Sequence, residues 1–225
     1  MRKKVLGTLL VLVGLFGFVL LVYRVAAYQF EYDAVSSPVD YGRWNFFSYF
    51  TIQSNIAGYI YLVLVGLAFC GVQKVEAAAY NPLFGAFVTT YVVMAGLVFC
   101  AGLPLGMSPA FEWDTWAHGV YSFMQIFYHM VMPVIVLVLW FLPVSQKPIP
   151  YSKSWLFYIY PFAYSVFSIL RGTFGGMHYY PYPFYNAEFF DGSWALMIGG
   201  LVVGCLIFVA AGLLFIWIHN KRIEE

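Results

Sequence analysis

Charge is scarce in this chain. Asp, Glu, Lys and Arg make up 9% of its 225 residues, where a soluble domain carries about 25%, so a soluble globular fold is excluded at once. The net charge is +1, which leaves no basic surface for nucleic acid. Cysteine is also rare. Cys70, Cys100 and Cys205 all lie in apolar runs, too few for a disulfide framework and best read as small packing residues. The chain has no N-x-[S/T] sequon, P-loop, GxGxxG or CxxC, which removes the common nucleotide and dithiol signatures.

What is present is hydrophobic length. Hydrophobic residues are 63% of the chain. Six stretches are long enough to cross a bilayer, which takes about 20 apolar residues at 1.5 Å each: 5–26, 44–70, 83–103, 119–142, 155–172 and 194–218. In lipid each backbone N–H and C=O must be paired within its own segment, so these stretches are helices. The first follows Met1-Arg2-Lys3-Lys4 but exceeds the 7–15 residues of a signal h-region, and is read as a membrane helix. The expected fold is all-α: a single polytopic membrane domain over 1–225, a bundle of six transmembrane helices.

Basic residues set the expected orientation. With the N-terminus inside, Arg2, Lys3, Lys4, Lys74, Lys147, Lys153, Lys221 and Arg222 fall inside, and Arg24, Arg43 and Arg171 outside, eight against three. This places both termini in the cytoplasm. Glu31, Asp33, Asp40, Glu112, Asp114, Glu188 and Asp191 then fall outside, and Trp44, Trp113, Trp116, Trp155 and Trp194 stand near stretch ends as interfacial anchors. The outer segment from Thr173 to Ser193 holds the run Tyr179-Tyr180-Pro181-Tyr182-Pro183-Phe184-Tyr185. Its prolines forbid a continuous helix, and its aromatics suit an interfacial cap.

Function is sought among polar residues within the spans, because burying them in lipid is expensive. Ser48, Thr51, Ser54, Asn55 and Gly58 recur at helical steps on the second stretch, and His118, Ser122, Gln125, His129 and Pro133 on the fourth. Pro161, Tyr164, Ser165, Ser168, Arg171 and Gly172 do so on the fifth. Helix-packing glue accounts for Ser48, Ser54 and Gly58. An imidazole at mid-span, His129, points to function.

Counted from the outer boundary, Thr51 is about 10 Å deep and His129 about 12–16 Å, so the two can share one level. A threonine hydroxyl beside a histidine is a minimal nucleophile–base pair. No Asp or Glu lies within any stretch, so Asn55, Gln125 or a tyrosine is left to orient the imidazole. Arg171 could hold a carboxylate or an oxyanion.

The segment from Phe46 to Asn55, Phe-Phe-Ser-Tyr-Phe-Thr-Ile-Gln-Ser-Asn, resembles the second-helix motif of the androgen-induced, ADTRP-like membrane proteins and their prokaryotic relatives. His129-Met130-Val131-Met132-Pro133 followed by a tryptophan is similar to the family's histidine helix. Tyr160-Pro161-Phe162-Ala163-Tyr164, Arg171-Gly172 and Tyr180-Pro181-Tyr182-Pro183-Phe184 resemble its later block. The likeness covers nearly the whole chain and is closest to the bacterial branch, which implies a bacterial plasma membrane. It implies a six-helix hydrolase of fatty acid esters of hydroxy fatty acids, with Thr51 as nucleophile and His129 as its partner.

The leading expectation is an integral membrane hydrolase of lipid esters. Thr51 and His129 would be catalytic, Ser48, Asn55, Gln125, Ser168 and Arg171 would bind substrate, and membrane lipids would be the partners. Acyl transfer to a lipid hydroxyl is a close variant. A transporter with a polar pathway, or an assembly role through Gly199, Gly200 and Gly204, is an alternative from another class. Neither a metal nor another cofactor is expected. His118 and His129 share a face but stand 11 residues apart, about 16 Å along a helix, too far to hold one ion at roughly 2 Å ligand distances.

Overall fold

The computed structural model describes residues 1–27, 44–106, 108–176 and 178–224. The expected placement of Glu31, Asp33, Asp40 and Arg43 in an outer loop lies outside these. Six long helices are described: α1 (Arg2–Ala26), α2 (Phe50–Cys70), α3 (Pro82–Gly102), α4 (Trp116–Phe141), α5 (Leu156–Phe174) and α6 (Trp194–Glu224). Short helical turns join them, and no strand occurs among the described residues.

Five helices, all but α5, are long and apolar enough to cross a membrane. Helix α5 has 19 residues, but Tyr158, Tyr160, Tyr164, Ser165, Ser168 and Arg171 lower its hydropathy, so it stands apart from the other five. The five tryptophans expected near stretch ends, Trp44, Trp113, Trp116, Trp155 and Trp194, are all exposed. Helix α6 exposes Leu196, Ile198, Val202, Val203, Leu206 and Ile207, an apolar surface that water would not tolerate.

The helix ends follow local chemistry. Asn81 caps α3, its side chain accepting from the N–H groups of Leu83 at 3.0 Å and Phe84 at 3.2 Å, with Pro82 at the first helical position where a missing N–H costs nothing. Thr115 caps α4 by accepting from the His118 N–H at 3.2 Å. Helix α2 begins later than its apolar stretch. Asn45–Ser48 form a separate 3-10 turn, and Gln53 Nε2 donates to the Phe47 carbonyl at 3.0 Å, holding this turn against the new helix.

The described residues pack as two compact units, one of residues 1–47 and 51–147, the other of 48–50 and 148–225. In the first, α1 and α2 meet through glycine. A Cβ on Gly7 would lie 2.6 Å from the Gly66 carbonyl oxygen, and one on Gly66 would lie 2.5 Å from that of Gly7. Helices α2, α3 and α4 interlock in the same unit. A Cβ on Gly58 would meet Val88, Val92 and Met132, and one on Gly85 would meet Tyr61 and Trp140. Small residues let membrane helices approach where lipid gives no hydrophobic drive for association.

In the second unit, α5 and α6 pack where Gly212 leaves room for the ring of Phe157. Asn220 of α6 accepts from the Ile149 N–H at 2.9 Å and donates to its carbonyl at 2.8 Å, fixing the segment before α5. The Tyr164 hydroxyl donates to the Ser48 carbonyl at 2.8 Å and accepts from the Phe50 N–H at 3.1 Å. The expected aromatic cap is a cluster of stacked and edge-on rings including Tyr49, Tyr179, Tyr182, Phe184 and Tyr185.

Candidate functional site

The centre of the site is a departure from regular helix in α4. Phe127–Val131 form a π-turn, in which the Met132 N–H bonds to the Phe127 carbonyl five residues back. The next bond in that register would join residue 133 to the Tyr128 carbonyl. Residue 133 is proline and has no N–H, so the Tyr128 carbonyl is stripped of its helical partner. Such π-turns recur at functional sites because they swing a side chain out of the regular α position. The side chain displaced here is His129.

Two other helices repair and pack the π-turn. Asn55 of α2 is fully buried, and its Nδ2 donates to the Tyr128 carbonyl at 3.2 Å and to the Thr51 carbonyl at 2.8 Å. The amide of Asn55 therefore supplies the donor that Pro133 lacks, and its orientation is fixed because a carbonyl can only accept. Its Oδ1 is buried with no hydrogen-bond partner among the described residues. Helix α3 approaches from the other side. A Cβ on Gly96 would stand 2.6 Å from the His129 carbonyl oxygen and 2.6 Å from Pro133 Cγ, so only glycine fits. One turn further on, the Phe99 ring stacks on the His129 imidazole with centroids 3.9 Å apart and planes 15° from parallel.

The imidazole so held meets Thr51. His129 Nε2 lies 3.2 Å from Thr51 Oγ1, and Nδ1 lies 3.0 Å from the Gln125 carbonyl oxygen. The carbonyl can only accept, so the proton sits on Nδ1. That leaves the Nε2 lone pair facing the threonine hydroxyl, the tautomer a general base requires. Thr51 is 6% exposed and His129 9%, so bulk water is kept from both. Thr51 is the second residue of α2, in the first turn where the helix dipole is positive. Its carbonyl also accepts from Ser54 Oγ at 3.0 Å.

The seven expected site residues divide between the units. Thr51, Asn55, Gln125 and His129 are brought together in the first. Gln125 contributes its backbone carbonyl to the imidazole, and Asn55 commits both amide hydrogens to carbonyls rather than to a ligand. Ser48, Ser168 and Arg171 belong to the second unit. There Ser48 is buried with its carbonyl on Tyr164, Ser168 is fully buried on α5, and the Arg171 guanidinium lies 5.1 Å from the centre of the Tyr179 ring.

The α4 stripe serves several ends. Ser122, fully buried, accepts from the Glu112 N–H at 2.7 Å and donates to the Glu112 carbonyl at 2.8 Å, while His118 faces carboxylates instead of the membrane interior. Sequence reasoning missed Gly96 and Phe99. The signal for them was a small residue and an aromatic three positions apart, on one helical face of the third stretch.

No family model matches the chain, and neither a curated protein nor a solved structure shows significant similarity to it.

Proposed function

We propose that this protein is an intramembrane hydrolase of lipid esters that uses Thr51 as nucleophile and His129 as general base. The observation that carries this reading is the 3.2 Å hydrogen bond between Thr51 Oγ1 and the acceptor nitrogen of a buried, carbonyl-oriented imidazole. In the reading, Thr51 Oγ1 bonds to the ester carbonyl carbon as His129 Nε2 takes the hydroxyl proton. The tetrahedral oxyanion collapses, and the alcohol leaves with that proton. Water then adds to the acyl-threonine, giving a proton to Nε2. Collapse frees the fatty acid and returns the proton to Thr51 Oγ1.

Among the described residues no carboxylate stands behind His129. The Gln125 carbonyl fixes the tautomer and accepts from the imidazolium, and the positive end of α2 favours the developing oxyanion. Because both groups are nine-tenths buried, the ester reaches them by parting side chains, entering sideways from the outer leaflet. In this reading α5 is a further span, about 28 Å long. Both termini face the cytoplasm, as the eight-to-three bias of basic residues supports, in what the resemblance implies is a bacterial plasma membrane. The motif likeness to the androgen-induced, ADTRP-like family supports the same reaction class, with acyl transfer as its variant when a lipid hydroxyl replaces water.

A second reading, transport, draws on the π-turn in α4, since transporters use irregular helices at their binding sites. The two readings part cleanly on assay. Purified protein in detergent is given hydroxy-fatty-acid esters and simple chromogenic esters. Hydrolysis predicts turnover that falls at least about a hundredfold in both Thr51→Ala and His129→Ala, with unchanged elution on size exclusion. Equal turnover in the wild type and both variants sinks the hydrolase, and uptake into proteoliposomes that survives Thr51→Ala establishes transport.

A further inference from the structure

We propose that Glu112, Asp114 and His118 form a binding site for a divalent metal ion of the zinc type. His118 Nδ1 lies 2.6 Å from Asp114 Oδ1 and 3.4 Å from Glu112 Oε2, and one ligand atom from each of the three residues lies within 4.8 Å of the others. A tetrahedral ion at about 2.0–2.2 Å from its ligands holds them about 3.4 Å apart. The three therefore need shifts on the order of an ångström to close on an ion.

The backbone positions of these ligands are set independently of the side chains. Fully buried Ser122 grips Glu112 through both its N–H and its carbonyl, and Thr115 caps the turn from which His118 projects. The side-chain ends are accessible: Glu112 and Asp114 are exposed at 53% and 71%, and His118 at 22%. Among the described residues, His118 is the side chain in ion-pair range of either carboxylate, and no lysine or arginine is. With a neutral imidazole the cluster carries two negative charges, which a divalent cation offsets.

An imidazole nitrogen with two carboxylates selects zinc or a neighbouring transition ion over calcium or magnesium, which take oxygen ligands alone. Three protein ligands leave a fourth position open. The site is apart from the Thr51–His129 pair, 11 residues along α4 from His129 or about 16 Å, and does not rest on the hydrolase reading. A bound ion would tie the segment before α4 to its first turn.

The test uses full-length protein in detergent, stripped by chelation and dialysed against Zn²⁺ alone. The expected result is one zinc per chain, retained against an equal concentration of Ca²⁺. The X-ray absorption spectrum should show one imidazole with oxygen neighbours at about 2.0–2.2 Å. His118→Ala and Glu112→Gln should each weaken binding at least about tenfold with elution and helical content unchanged. If a variant does not fold, the wild-type spectrum decides. Three results overturn the proposal: no stoichiometric zinc in the wild type, unchanged uptake in His118→Ala, or a spectrum with two imidazoles.

Discussion

The brace that Asn55 provides for the π-turn can be tested without any assay of function. Asn55→Leu keeps the branching and the number of side-chain heavy atoms, so no cavity forms; its bulkier methyl groups add an overpacking cost that a double-mutant cycle cancels. It removes the donors to the Thr51 and Tyr128 carbonyls, at 2.8 and 3.2 Å. The Thr51 carbonyl keeps Ser54 Oγ. The Tyr128 carbonyl keeps nothing in its π register, because residue 133 has no N–H. A buried carbonyl left unmet costs about 1–3 kcal/mol, and side-chain hydrogen bonds within membranes average about 0.6 kcal/mol and reach about 1.7 kcal/mol. The Leu variant should therefore be at least about 1–2 kcal/mol less stable to reversible unfolding in detergent.

The sharper form of this test is a double-mutant cycle. Pro133→Ala restores an N–H in reach of the carbonyls that proline stripped. In that background Asn55→Leu should cost less, by roughly 0.5–1 kcal/mol, because the backbone now supplies the donor. Additivity within about 0.3–0.5 kcal/mol would refute the account of Asn55 as the replacement for the missing proline N–H.

Two further changes probe helix contacts. Gly96→Ala puts a methyl 2.6 Å from the His129 carbonyl oxygen and must push α3 or the π-turn by nearly an ångström. It should lower the melting temperature by an overpacking cost of about 1–3 kcal/mol and cut ester turnover about a hundredfold through misplacement of the imidazole; a wild-type melting curve and turnover would contradict the packing. Gly66→Leu should separate α1 from α2, whose backbones meet at Gly7, and lower the melting temperature without changing which esters are hydrolysed, a result read from thermal scans and a substrate panel.

The long helices were legible because lipid allows a spanning segment no other backbone solution. Their ends were legible to within a few residues, except at the end of α6, which runs past residue 218 to Glu224, and at the start of α2. There the stretch begins at Trp44 but the helix begins at Phe50 after a 3-10 turn, a choice made by contacts such as Gln53 on the Phe47 carbonyl. Face and depth brought Thr51 and His129 to one level, since both follow from helical period and rise alone. The π-turn was not legible. Pro133 signals a disturbed helix but not its form, which depends on Asn55 and Gly96 arriving from other helices. Asn55 read as a ligand donor because a sequence shows a side chain's capacity and not which carbonyls have lost their partners. The contact of His118 with Glu112 and Asp114 was only half legible. The i to i+4 spacing from Asp114 to His118 was present, but Glu112 is brought in by Ser122 across a turn.

The most direct test of the central claim is to trap the covalent intermediate. Purified protein is mixed with a p-nitrophenyl fatty acyl ester, quenched during the burst, and its peptides are analysed by mass spectrometry. The account predicts one acyl group on Thr51, absent in Thr51→Ala and not formed at a measurable rate in His129→Ala. An acyl group on another residue, or turnover with no acylated Thr51 at any quench time, would contradict it.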